Sequence, residues 1–121
     1  MKSYKDLEIS NLSYELAVKV YKVTMTLPNF ELYEEGSQVR RPSKSISSNI
    51  SEGYGRNKYK ADFIRFLIYA HASCDETLIH LSFIRDTHDS IQDMADLMEG
   101  YENLGRKINS FISYVEQNWR A

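Results

Sequence analysis

The stretch Ile91–Trp119, IQDMADLMEGYENLGRKINSFISYVEQNW, decides the fold. Its apolar residues Ile91, Met94, Leu97, Met98, Tyr101, Leu104, Ile108, Phe111, Ile112, Val115 and Trp119 recur in a near-heptad rhythm. That spacing lays them along one side of an α-helix and predicts a helix near 90–118 that buries this side. A strand, with a side-chain period of two, would scatter them over both faces. Ser90, with Asp93 three residues later, resembles a capping box with aspartate in the glutamate role. Gly100 and Gly105 each weaken the helix by about 1 kcal/mol relative to alanine, and they also permit close helix approach.

Three more segments with helical periodicity precede it. Ile9, Leu12, Leu16, Val20, Val23 and Leu27 form one stripe, widened by Ala17 and Tyr21 and stopped by Pro28, which predicts a helix near 7–27. Val39, Ile46, Ile50 and Tyr54 predict a second helix near 33–54, diluted by serines. Pro42 lacks an N–H and is expected to kink it, and Gly53 and Gly55 to end it in the left-handed cap conformation. Asn57 is the expected cap of a third helix near 58–86. That helix carries two apolar stripes: Phe63, Phe66, Leu67, Ala70, Cys74, Leu78 and Leu81, and then Ile64, Ile68, Ala72, Ile79 and Phe83. Connections of only a few residues force sequential helices to run antiparallel. The expected fold is all-α, an antiparallel up-down-up-down four-helix bundle forming a single domain over residues 1–121. Leu16, Val20, Ile50, Leu67, Cys74, Leu78, Leu104, Ile108 and Phe111 are its expected core.

Composition narrows the function classes. With 42% hydrophobic and 26% charged residues the chain is not expected to be disordered. Its single cysteine, Cys74, excludes an internal disulfide and agrees with a reducing cytoplasm. No apolar run approaches the ~18 residues of a spanning helix, and none follows the N-terminal lysines, so neither membrane anchor nor signal peptide is expected. His71, Cys74, Asp75, Glu76 and His80 form the only cluster of metal-capable side chains. A di-iron bundle needs carboxylates on all four helices and two Glu-x-x-His steps. Here Glu76 to His80 is a four-residue step, so no metal and no cofactor is expected. No serine sits in a Gly-x-Ser-x-Gly elbow. Gly53-Tyr54-Gly55-Arg56 lacks the third glycine, the Lys-Ser/Thr ending and the preceding strand of a phosphate loop. The expectation is a protein without enzymatic activity.

Charge is distributed unevenly. Residues 36–71 hold seven basic side chains (Arg40, Arg41, Lys44, Arg56, Lys58, Lys60 and Arg65) against two acidic ones, Glu52 and Asp62. The segment after residue 71 is acidic. Tyr54, Tyr59 and Tyr69 lie among the basic residues, and aromatics interleaved with cations suit nucleic acid. They suit padding of a bundle surface better. The candidate contact residues are Arg40, Arg41, Lys44, Arg56, Lys58 and Lys60. The last three are the stronger set, because a turn is free of the packing that ties down side chains on a helix. The second stripe of the third helix, with Ile64, Ile68, Ile79 and Phe83, is the candidate contact between copies, because soluble monomers seldom expose such a stripe.

The segment Ser37–Arg56, SQVRRPSKSISSNISEGYGR, is distinctive. At Gln38, Arg40, Arg41, Ser45, Ile46, Asn49, Ile50, Glu52, Gly53, Tyr54, Gly55 and Arg56 it resembles the signature of the bacterial four-helix-bundle family encoded by intervening sequences in 23S ribosomal RNA genes. Tyr4-Lys5-Asp6-Leu7, the run Ala17–Tyr21, Leu27-Pro28 and Phe63-Ile64-Arg65-Phe66-Leu67 are similar too. Pro42 stands where that family usually has alanine, and Ser47 where it often has proline, which displaces the expected bend by about five residues. The resemblance implies an up-down-up-down bundle, five copies in a ring and no established catalysis. The fold is similar to that of the nucleic-acid-binding accessory protein of diversity-generating retroelements. The expected function is a cytoplasmic, non-catalytic oligomer that binds structured RNA or other nucleic acid through its basic middle segment. The alternative is an oligomeric scaffold for another protein, its basic and acidic halves pairing between subunits.

Overall fold

The computed structural model describes residues 3–89 and 91–120. Among them are four long helices, α1 (Glu8–Thr24), α2 (Glu35–Gly55), α3 (Lys60–Thr87) and α4 (Met94–Asn118), with a 3-10 turn at Tyr4–Asp6 and a single helical turn at Asn29–Leu32. No described residue is in a strand. The helices form a bundle in which α2 packs on α1 and α3, and α4 packs on α3 and α1. Each neighbouring pair meets with residue numbers rising along one helix and falling along the other. Ser13 meets Ser47 and Thr24 meets Arg40 between α1 and α2. Glu35 meets His80 and Ser45 meets Ser73 between α2 and α3. Cys74 meets Tyr101 and Lys60 meets Glu116 between α3 and α4. No described helix is long and apolar enough to cross a membrane.

The core comes from the stripes. On α3 the buried residues are Phe63, Leu67, Ala70, Cys74, Thr77, Leu81 and Ile84. They alternate in steps of four and three, the spacing that keeps one seam against neighbouring helices. Thr77 takes the place expected of Leu78, which is half-buried, as is Phe111. The threonine hydroxyl fits because it donates back to the Ser73 carbonyl at 2.8 Å, leaving its methyl to pack. Serine similarly lets α2 sit close to both neighbours. Ser47 Oγ lies 2.9 Å from Ser13 Oγ on α1, and Ser45 Oγ accepts from Ser73 on α3 at 3.1 Å. Two glycines mark the closest approaches. A Cβ on Gly53 would stand 2.9 Å from Phe66 Cβ, and one on Gly100 2.8 Å from Leu16 Cδ2.

Helix ends depart from expectation. Helix α1 stops at Thr24, not Leu27, and Leu27 folds under in a further turn that keeps it buried. Pro28 then starts the turn at Asn29–Leu32. Helix α2 runs without interruption through Pro42, which is buried. No glycine has positive φ, so Gly53 and Gly55 are not left-handed caps. They are the last helical residues but two and the last, and the chain leaves through Arg56. Asn57 does not cap α3, which Tyr59 precedes without a side-chain bond. Its carbonyl accepts from Trp119 Nε1 at 2.9 Å instead. Ser90 lies outside the described residues. Asp93 is itself the residue before α4, in the left-handed conformation (φ 63°), with no capping bond from its side chain. At this end of the bundle Trp119 meets Phe63 edge to face, with ring centroids 5.1 Å apart, and closes over the turn between α2 and α3.

Candidate nucleic-acid interface

The six candidate cations do not form one group. Arg40 turns inward. Its Nη1 donates to Thr24 Oγ1 at 3.0 Å and its Nη2 to the Leu32 carbonyl at 3.1 Å, tying the turn Asn29–Leu32 to α1. Arg56 is shared between Glu52 (3.6 Å) and Asp62 (3.8 Å) and lies over the Phe66 ring at 4.9 Å. Lys60 Nζ donates to the Glu116 carbonyl at 2.5 Å, where the α4 C-terminus carries partial negative charge. The turn expected to be free of packing therefore holds two of its three cations in place, because α4 and the first turn of α3 close on it. Lys58 is exposed and, among the described residues, makes no ion pair or hydrogen bond.

Arg41 and Lys44 are the free cations on α2. Both are exposed, and neither has an ion pair or hydrogen bond among the described residues. With Ser37, Arg40, Ser45 and Ser48 they line a shallow basin whose lining includes no carboxylate. Lys44 and Ser48 also border a second groove, between α1 and α2, whose α1 side is formed by Tyr14, Ala17, Val18 and Tyr21. Tyr14 was not singled out in the sequence, and Tyr21, expected to widen the core stripe of α1, is exposed instead. The signal was present: Tyr14, Val18, Tyr21 and Met25 recur at helical steps, offset from the core stripe of α1.

The candidate stripe of α3 divides. Ile64 is half-buried against the protomer's own core, whereas Ile68, Ile79 and Phe83 are 51%, 58% and 56% exposed. Asp75, Glu76 and Asp86 accompany them on the exposed side of the helix.

The metal-capable cluster also divides. The Cys74 thiol is buried, donates to the Tyr101 carbonyl at 3.2 Å, and is pushed up to about 12 by burial. His71 Nδ1 lies 3.7 Å from Asp75. His80 does not face Glu76; its Nδ1 bonds Glu35 on α2. His88 Nε2 lies 2.7 Å from Glu31 Oε2, and that hydrogen bond holds the Glu31 carboxyl below its usual range.

Comparisons with known proteins agree with this architecture. The family described as 23S rRNA-intervening sequence protein matches over residues 5–110. The chain is similar to the crystal structure of a protein of unknown function from the S23 ribosomal protein family of Bacteroides thetaiotaomicron VPI-5482. The two share 23% identity and a TM-score of 0.65, over 91% of this chain and 99% of the other. At that identity the likeness speaks for the fold alone. No curated protein matches.

Proposed function

The chain belongs to the 23S rRNA-intervening sequence protein family, and from that premise we propose that it is a cytoplasmic, non-catalytic oligomer that binds nucleic acid, structured RNA above all, through the cations of α2. One observation carries this reading. Arg41 and Lys44 stand exposed among serine hydroxyls with no carboxylate in the basin, in a chain with seventeen acidic residues against fifteen basic. Arg56 is neutralised by Glu52 and Asp62, whereas Arg41 and Lys44 are not. A retained uncompensated pair is suited to phosphate oxygens. Arg56 and Lys60 are committed to structure, and Lys58 is a separate contact at the far end of the helix.

Copies associate through the exposed stripe of α3, and five is the number the family resemblance implies. A ring repeats the Arg41/Lys44 basin around its axis, so weak single contacts add through multivalency. Binding should be largely independent of sequence, with log affinity falling by about 0.9 per log unit of salt for each phosphate neutralised on a duplex. The test is a filter-binding titration with a hairpin RNA at two salt concentrations, on the parent and on Arg41→Gln/Lys44→Gln. The double variant should bind more weakly and with a shallower salt slope at unchanged oligomer mass. An unchanged slope would remove α2 from the contact. Absence of binding by the parent at low salt would leave the scaffold reading.

A further inference from the structure

The groove between α1 and α2 joins exposed tyrosines to hydroxyls and a cation. Tyr14 and Tyr21 are 67% and 53% exposed, with Val18 between them. They lie two turns apart on one line of α1, about 10 Å at 1.5 Å per residue. The opposite wall is α2, with Lys44 and the small hydroxyl residues Ser48 and Ser51. No carboxylate lines the groove, and none lines the basin that adjoins it through Lys44 and Ser48. The α3 stripe is the contrast: Ile68, Ile79 and Phe83 stand beside Asp75, Glu76 and Asp86, which repel phosphate.

Aromatic rings separated by an apolar residue and bordered by an unpaired cation, Lys44, suit unpaired nucleotides. A base offers its face to an aromatic ring only when it is not stacked inside a duplex, and its phosphate then lies within reach of a cation alongside. Every base has such a face, so the contact tolerates any sequence. We infer that the α1–α2 groove takes a single-stranded segment of RNA, a loop, bulge or end, with bases stacked on Tyr14 and Tyr21 and the backbone passing over Lys44 and Arg41. The inference rests on the reading that the α2 cations meet phosphate, and adds which form of RNA they meet and what holds its bases. The rival occupant of an exposed tyrosine groove is a second copy of the chain. The absence of carboxylates around the groove favours the polyanion.

The experiment compares a labelled oligouridine strand of roughly 20 nucleotides, longer than one binding groove, with the same strand annealed to its complement, using the full chain at low salt. The free strand should bind more tightly than the duplex. Tyr14→Ala/Tyr21→Ala should weaken the free strand about tenfold or more, at 1–3 kcal/mol per stacked base. It should leave duplex binding and sedimentation mass unchanged, while Tyr14→Phe/Tyr21→Phe restores the affinity. Three results would each overturn the inference: equal binding of both RNAs, an alanine pair that binds the free strand as tightly as the parent, or an alanine pair that changes the oligomer mass, which would show a second copy in the groove. Loss of affinity in Arg41→Gln/Lys44→Gln with no effect of the tyrosines would defeat this inference and leave the proposed function standing. No binding of either RNA would defeat both.

Discussion

Tyr101 lies wholly inside the bundle, and its hydroxyl has no properly formed hydrogen bond although Ser43 is close by. Ser43 Oγ instead donates to the Arg40 carbonyl of its own helix at 2.9 Å. Burial drives the phenol's pKa far up, so it stays protonated. A buried polar group without a good partner costs about 1–3 kcal/mol. Tyr101→Phe should therefore raise stability by about 1 kcal/mol, since it removes the hydroxyl and keeps the ring. The urea midpoint measures this, and a fall would mean that the hydroxyl makes a bond worth keeping. Glu31 contributes in the opposite sense. Its carboxyl is held below the ordinary value of 4.5, chiefly by the hydrogen bond with His88. A lowered folded-state pKa supplies stability that is complete above the unfolded value and is lost as pH falls through the folded one. Glu31→Gln should accordingly lower stability near pH 6 and narrow the gap to the parent below pH 4.5. A gap that stays constant down to pH 3 would separate Glu31 from the acid response.

Among the elements, α4 and α3 were the most legible in sequence, because long stripes at steps of three and four leave few alternatives. The serine-rich α2 was harder to read. Its serines look like dilution of an apolar stripe, yet Ser45 and Ser47 are the small groups that bring α2 against both neighbours. Gly100 was read as a close approach and is one, but Gly53 was read only as a helix stop: a stop and a close approach use the same residue, and only the packing distinguishes them. Gly53 faces Phe66 Cβ, an atom fixed to the backbone, whereas a Cβ on Gly55 would meet nothing within 4 Å. Gly53→Ala should cost about 1–3 kcal/mol through overpacking. Gly55→Ala should gain up to about 1 kcal/mol, as alanine loses less entropy in a helix. Thermal melts of the two variants test the pair, and the reverse order would refute the close-approach account of Gly53. Of the candidate site, the number of cations was legible and their freedom was not. Whether Arg40 turns inward or Arg56 is ion-paired depends on Thr24, Leu32 and Asp62, partners that only the assembled bundle brings near.

At the scale of the whole molecule, α1 and α3 stand at opposite corners of the bundle, each meeting α2 and α4. The tyrosine groove and the α3 stripe therefore point away from each other, and one protomer presents tyrosines, hydroxyls and a cation on one side and an apolar stripe on the other. Sedimentation equilibrium should give one species several times the 14.1 kDa protomer. Ile79→Glu/Phe83→Glu, which adds charge beside Asp75 and Asp86, should yield protomers with unchanged helical content. A parent that sediments as a monomer at tens of micromolar would refute association through α3. The one cysteine of the chain has a further use at this scale. Cys74 is shut between α3 and α4, and a thiol reagent reaches it only when those helices separate. The reagent attacks the thiolate, which burial suppresses in the closed bundle. The labelling rate of the unmodified protein thus times the opening of its own core, and its dependence on urea should trace the same transition as the loss of helix, with no dye or mutation introduced.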